Sequence, residues 1–303
     1  GEFVGMLMAI GAVALAVLSY WLVQRKREGK VTLLDPDLFR LPNFRVGASQ
    51  MVLQQITLGG AMIALPLYLQ VTLEYNAMQA GLSLAPLSLT MFAVALLAGK
   101  KAGDRRPASI LRAGFGLVLI GMVLVIPVIP RGESGWALLV PLLVAGVGFG
   151  LLVSQLNNYI LAPIDEERIS EASGVNSAGQ SFGMSFGLAL AGGILLAALS
   201  LSFTNMAESS DVIPPADQKA IATALEDNAQ LVSTTQLEEM LDHQPDDVRQ
   251  EIININTDAG NLSLQIAMLV PLLACLLGFV NSFRMMRLPD ISPSASTEGL
   301  GLG

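Results

Sequence analysis

The chain has 303 residues, 52% of them hydrophobic and only 14% charged, with a mean hydropathy of +0.59, whereas soluble domains carry about 25% charged residues. One cysteine (Cys275) and one histidine (His243) exclude a disulfide framework, a zinc cluster and a Cys–His catalytic pair. A net charge of −8 argues against a nucleic-acid partner, which rewards a basic surface.

That acidity is local. Residues 204–260 hold twelve acids and two bases, leaving thirteen acids and fifteen bases for the rest. The remainder is a weakly basic body whose expected surroundings are the lipid bilayer. A membrane-spanning helix needs about 20 mostly apolar residues. Seven stretches qualify, at 3–23, 45–71, 79–99, 110–130, 136–160, 175–203 and 263–283. The expected fold is therefore all-α, a polytopic membrane protein of about seven transmembrane helices. Four regions are expected: 1–44, a transmembrane helix and cytoplasmic linker; 45–203, five further spans; 204–260, an acidic helical extracytoplasmic loop; and 261–303, the last span and a disordered tail.

Orientation follows from the distribution of lysine and arginine. Fourteen of the seventeen basic residues fall on one side, in the segments around Arg25–Arg45, Lys100–Arg112, Arg168 and Arg284–Arg287. That side is expected to be cytoplasmic, with the C-terminus inside and the acidic loop outside. Seven spans then place residue 1 outside, which an upstream half with an even number of crossings would explain.

No charged residue falls near the middle of any expected span, so the chain offers no obvious proton-carrying carboxylate. Glu74 comes nearest, either as a coupling group or as a solvated boundary residue. Neutral polar residues do enter. Gln50, Gln54 and Thr57 share a helix face at i, i+4, i+7, with Gln54 near the expected midplane and Gln55 beside the stripe. Either these amides bond between helices or they line a solute cavity. Pro66, preceded by Gly59 and Gly60, is expected to kink the same helix. Gln155, Asn157 and Asn158 late in the fifth span could meet Asn176 and Gln180 early in the sixth, as a hydrogen-bond layer or as an inner gate. Gly179, Gly183 and Gly187 form a small-residue stripe suited to close helix packing. Gly146-x-Gly148-x-Gly150 lacks the preceding strand of a dinucleotide loop. His243 with Asp242, Asp246 and Asp247 reads as a solvated helix face. No catalytic constellation, cofactor site or metal site is expected, and the chain does not read as an enzyme.

Within the acidic loop, Pro215 is expected to open a helix to about 231, Thr235-x-x-Glu238 is a capping box, and Pro245 with Asp246 and Asp247 marks a third helix start.

The run Leu65-Pro66-Leu67-Tyr68-Leu69-Gln70, followed by Ala77-Met78-Gln79-Ala80-Gly81-Leu82 and Ala85-Pro86-Leu87, resembles a helix pair of the fourteen-helix drug–proton antiporters of the major facilitator superfamily. So do Asp35-Pro36-Asp37-Leu38-Phe39, Ala172-Ser173-Gly174 and the long external loop before the last helix. The resemblance covers the whole chain but only the C-terminal half of such a transporter. It implies that residues 3–23 are an extra central helix and that the later six spans form the C-terminal bundle. Gly99–Pro107 resembles a departed copy of the superfamily's G-x-L-A-D-R-x-G loop, with Gly103 in place of its aspartate. The resemblance further implies proton-coupled efflux of drugs or small organic solutes from a bacterial cytoplasmic membrane. Its partners would be protons and an N-terminal half that carries the coupling carboxylate. On this reading Gln54, Gln55 and Tyr68 are candidate cavity residues, and Gln155, Asn158, Asn176 and Gln180 candidate inner-gate residues. Two alternatives stand beside it: a membrane scaffold or receptor acting through the acidic loop, and a half-transporter that pairs with another chain.

Overall fold

The computed structural model describes residues 2–28, 36–100, 106–131, 134–210 and 245–289, with 212, 237, 238 and 241 between them. Among these residues every regular element is helical. The long helices are α1 (Glu2–Arg27), α2 (Pro42–Leu67), α3 (Ala77–Lys100), α4 (Pro107–Val125), α5 (Leu139–Leu161), α6 (Ile169–Glu208), α7 (Asp246–Ala267) and α8 (Leu269–Arg287). Six helical stretches are long and apolar enough to cross a membrane, α7 and α8 together forming one of them. The seventh expected span lies in α1, where the apolar run Ala9–Leu22 is shorter. The expected helices at 215–231 and 235–238, the loop at 101–105, His243 and the tail beyond 289 lie outside the described residues or largely so.

Local chemistry sets the helix starts. Pro42 and Pro107 occupy first-turn positions of α2 and α4, where the missing N–H costs nothing. At α3, Asn76 Oδ1 accepts from the Gln79 N–H at 2.9 Å and Gln79 Oε1 accepts from the Asn76 N–H at 3.0 Å, a reciprocal cap. Asp246 and Asp247 lie in the first turn of α7, next to its positive dipole end. That agrees with the start expected at Pro245. Around Pro66, α2 gives way to a π-helical turn, Tyr68–Thr72. It is closed by Leu73 N–H to Tyr68 O at 3.1 Å and Tyr75 N–H to Leu69 O at 2.9 Å. The first bond is one residue wider than its α-helical equivalent and the second two, and Glu74 takes the left-handed conformation (φ 52°) that ends the helix. The boundary between α7 and α8 has a similar cause. Pro271 cannot donate to the carbonyl of Ala267, and the two helices meet at Met268.

Helix pairing has an internal symmetry. The extensive contacts are α2 with α6, α3 with α5, α4 with α5, α8 with α2, α8 with α4, and α2 with α5. Exchanging α2, α3, α4 with α5, α6, α8 maps this set onto itself, so the six spans are two three-helix units. The exception is α6 with α7, which has no counterpart of similar extent between α3 and α4. At 40 residues, α6 is about 60 Å long, twice the hydrocarbon thickness. Leu199 and Phe203 of its far end pack with Ile252, Ile253, Ile255 and Ala259 of α7 and with Leu237 in a second apolar core. The loop expected at 204–260 is thus built on a two-helix stalk continuous with the spans. α1 packs extensively against none of the other helices.

Glycines lie at the crossings. A methyl group built on Gly183 would come within 2.7 Å of Val52 O, and one on Gly187 within 2.8 Å of Ile56 Cα. On α5 the alternating glycines face two directions. Gly146 and Gly150 press on Leu87 O and Met91 O of α3, each at 2.7 Å, while Gly148 presses on Gly114 O and Val118 N of α4, each at 2.6 Å. Lipid gives helices no hydrophobic reason to associate, so this backbone contact supplies the attraction.

Substituting alanine at Gly187 should therefore destabilise the folded protein by about 1–3 kcal/mol. The same change at Gly193, where nothing lies within 4 Å, should be neutral or stabilise by up to about 1 kcal/mol. Thermal unfolding of the two variants in one detergent decides the matter; equal melting temperatures would contradict it.

Candidate functional site

The polar interior begins on α2, where Gln50, Gln54 and Thr57 are all buried on one face. Thr57 Oγ1 donates to Leu53 O within its own helix at 2.8 Å. Gln50 Nε2 donates to Gly278 O of α8 at 2.9 Å, with Met285 Sδ at 3.3 Å, and so ties α2 to α8. Gln54 has no such tie. It is 3% exposed, and no group among the described residues bonds its Oε1.

Opposite it, on α5, Gln155 is 2% exposed and its Nε2 also lacks a partner among the described residues. Gly47 abuts Ile160, with its built methyl 2.7 Å from Ile160 Cγ1, which fixes the register of α2 against antiparallel α5. Counting inward from that contact, Gln54 lies about 10 Å and Gln155 about 8 Å along the helix axes. One buried acceptor and one buried donor thus occupy nearly the same depth on two packed helices. Gln54 is also about 18 Å from the start of α2, near its middle. An unpaired buried amide atom costs roughly 1–3 kcal/mol, which makes this layer a place for a polar group from water or from a solute.

The other candidates take separate positions. Gln55 is half-buried against α6, with its Cβ 2.9 Å from a methyl built on Gly183. Tyr68 is fully enclosed in the apolar core and donates to Val128 O at 3.4 Å, about 21 Å along α2 from Gln54. In this conformation Tyr68 does not join the amide layer. Between α5 and α6, Asn176 Nδ2 donates to Asn157 Oδ1 at 2.8 Å. Asn158 is exposed, and its backbone carbonyl closes the end of α5 by accepting from the Ala162 N–H at 2.9 Å. The amide pair is therefore built on Asn157, not Asn158. Gln180 is half-buried one turn beyond Asn176. Pro66 is half-buried, just before the π turn.

Three buried amides, Asn43, Asn256 and Asn261, escape the sequence reading, and the last is the one with an unbonded oxygen. Asn261 of α7 is 9% exposed, and no described group bonds its Oδ1. Its position at the edge of an acidic segment disguises it, because nothing in composition says that α7 runs on into the membrane. Cys275 is buried, with its Sγ 3.3 Å from Phe115 O. Among the described residues no group of three or more His, Cys, Asp or Glu side chains could hold a metal ion. The described stretches 46–73, 77–99, 113–130, 134–164 and 259–283 carry no charged side chain. The interior can donate and accept hydrogen bonds; its amides do not titrate.

The sequence family described as Major Facilitator Superfamily matches residues 2–188, more than half of the chain. The chain belongs to that superfamily. Two three-helix units within a six-span bundle are the arrangement of each half of a superfamily transporter. Curated relatives include the probable actinorhodin transporter of Streptomyces coelicolor, 27% identical over 201 residues (65% of this chain, 35% of the relative). The uncharacterized transporter YebQ of Escherichia coli is 31% identical over 185 residues (61% and 40%). Multidrug resistance protein Stp of Mycobacterium tuberculosis is 24% identical over 212 residues (70% and 38%). The chain thus spans 35–40% of the length of these relatives. It is an integral membrane protein of a transporter superfamily.

Replacing Gln54 with leucine removes an amide whose oxygen has no described partner, so the melting temperature should hold or rise. A fall of several degrees in thermal unfolding would mean that the amide is bonded inside the bundle and structural.

Proposed function

We propose that this major facilitator chain is the C-terminal half of a secondary transporter that exports drugs or other small organic solutes in exchange for protons. The observation that carries this reading is the buried Gln54 Oε1 near the middle of α2, without a partner among the described residues, with the likewise unpartnered Gln155 Nε2 on the packed helix α5. A neutral site with one donor and one acceptor in an apolar surround suits organic molecules that carry a few polar groups. The names of the relatives support efflux: probable actinorhodin transporter and multidrug resistance protein.

On this reading Gln54 and Gln55 line the solute path, and Tyr68, enclosed in the apolar core in this conformation, joins them only when the bundle changes state. Gln155, Asn176 and Gln180 form the inner gate with Asn158, and Asn157 holds Asn176 in place. Alternating access rocks this bundle against an N-terminal half around the amide layer. On the same reading the proton-carrying carboxylate belongs to that other half, and the charge-free described spans of this chain support it. The basic ends of the helices face the cytoplasm, the acidic stalk faces outward, and the membrane is a bacterial cytoplasmic membrane.

The test is Gln54→Leu in the full-length parent, assayed by growth inhibition and by uptake into inverted vesicles across several organic cations and neutral drugs. Expression should be unchanged, and the ranking of substrates should shift by roughly threefold to tenfold, the effect of about 1 kcal/mol of hydrogen bonding. Transport unchanged for every compound would remove Gln54 from the path. A second substitution, Asn157→Ala, should alter transport more than Asn158→Ala; the reverse order would return the gate to Asn158.

A further inference from the structure

Where α8 ends, its outward face meets the first turns of α4. Phe279 lies over Gly116 of α4, with its Cε2 3.3 Å from a methyl built there. The Phe279 and Phe283 rings meet edge-on with centroids 5.5 Å apart, and the Arg112 guanidinium sits 5.4 Å from the Phe283 centroid. Leu273, Leu276, Val280 and Phe283 recur at three- and four-residue spacing and are 56%, 41%, 56% and 45% exposed. Arg287, also exposed, continues this stripe one turn beyond Phe283, with Arg284 beside it. Arg40, Arg168 and Arg249 each have a carboxylate within 3.2 Å. No carboxylate among the described residues pairs with Arg112, Arg284 or Arg287.

We propose that Arg112 and Arg287, flanking the Phe283 ring, bind the phosphate of an anionic phospholipid whose acyl chains lie along Leu273, Leu276 and Val280. The ring holds one face of the Arg112 guanidinium and leaves the N–H fork free for a planar or tetrahedral oxyanion. A stripe that is apolar for about 15 Å and then cationic matches an acyl chain followed by a headgroup, the pattern by which basic clefts between spanning helices take anionic lipids. The make-up of the stripe also argues against a docked helix. The main crossings among the spans, α2 with α6, α3 with α5 and α4 with α5, put glycine against backbone. The outer stripe of α8 has only large side chains, which adapt to fluid chains better than to a rigid helix.

Native mass spectrometry of the full chain, released from micelles doped with equal dioleoylphosphatidylglycerol and dioleoylphosphatidylcholine, reads the site directly. The anionic lipid should be retained preferentially. Arg287→Gln should weaken its retention about fivefold and the pair Arg112→Gln/Arg287→Gln about 25-fold, as expected for an additive loss per cation near a headgroup. Arg249→Gln on the stalk should change nothing. Arg287 is exposed and unpaired among the described residues, so its single substitution carries the test even where the double variant does not fold. Excess glycerol 3-phosphate should fail to displace the lipid. Displacement would make the site one for soluble phosphate and overturn the proposal. Equal retention of the two lipids, unchanged retention in Arg287→Gln, or a protein subunit cross-linked along Leu273–Val280 in place of lipid would also overturn it.

Discussion

Direct contact between helix backbones holds this bundle together. In water, six apolar helices would be driven together by burial alone. In lipid that force vanishes, and what remains is short-range attraction between surfaces that fit. Such attraction fades within a fraction of an ångström, so the crossings need positions without side chains. Gly183 and Gly187 serve the α2–α6 pair, Gly146 and Gly150 the α3–α5 pair, and Gly114 and Gly148 the α4–α5 pair. The symmetry between the two three-helix units follows from the same requirement. Each unit offers an inner helix, α2 or α5, whose faces are claimed by several neighbours, and it is on these two helices that Gln54 and Gln155 lie.

Close packing also explains why the amide layer is sharply defined. A loosely packed interior would admit water along its length and satisfy any amide. Here glycine crossings and apolar side chains surround the polar face of Gln50, Gln54 and Thr57, so a polar atom either finds a protein partner or has none. Gln50 Nε2 and Asn176 Nδ2 each donate across a helix boundary, whereas their own oxygens, like Gln54 Oε1, Gln155 Nε2 and Asn261 Oδ1, have no partner among the described residues. The bundle is thereby close-packed at its crossings and undersatisfied at several buried amides, a combination suited to holding weak, replaceable hydrogen bonds.

The all-α class and six spans were legible in the sequence because hydropathy reports directly on the solvent that a segment meets. The α6 glycine period was legible for the same kind of reason: a spacing of four marks one helix face whatever lies opposite. Rotation about the helix axis was not legible. Asn157 and Asn158 differ by about 100° around α5, and only the neighbour decides which one meets Asn176. Tyr68 reads as a candidate cavity residue, and at the start of the π turn it lies enclosed in the apolar core in this conformation. The helix starting at Pro245 was legible, but its continuity with the last span was not, because the acidic composition of its first turns marks a boundary. Asn261 was lost with it.

The continuity of α7 with α8 has a mechanical consequence. The 42 residues from Asp246 to Arg287 form one strut, hinged where Pro271 leaves the Ala267 carbonyl without its helical donor. The outer arm is about 33 Å long, so a tilt of about 10° at the hinge sweeps its tip through about 6 Å. Small angular changes among the spans are thus magnified on the outer surface. A fluorophore or spin label near residue 248 would register small tilts of the strut without touching the packed faces of the spans.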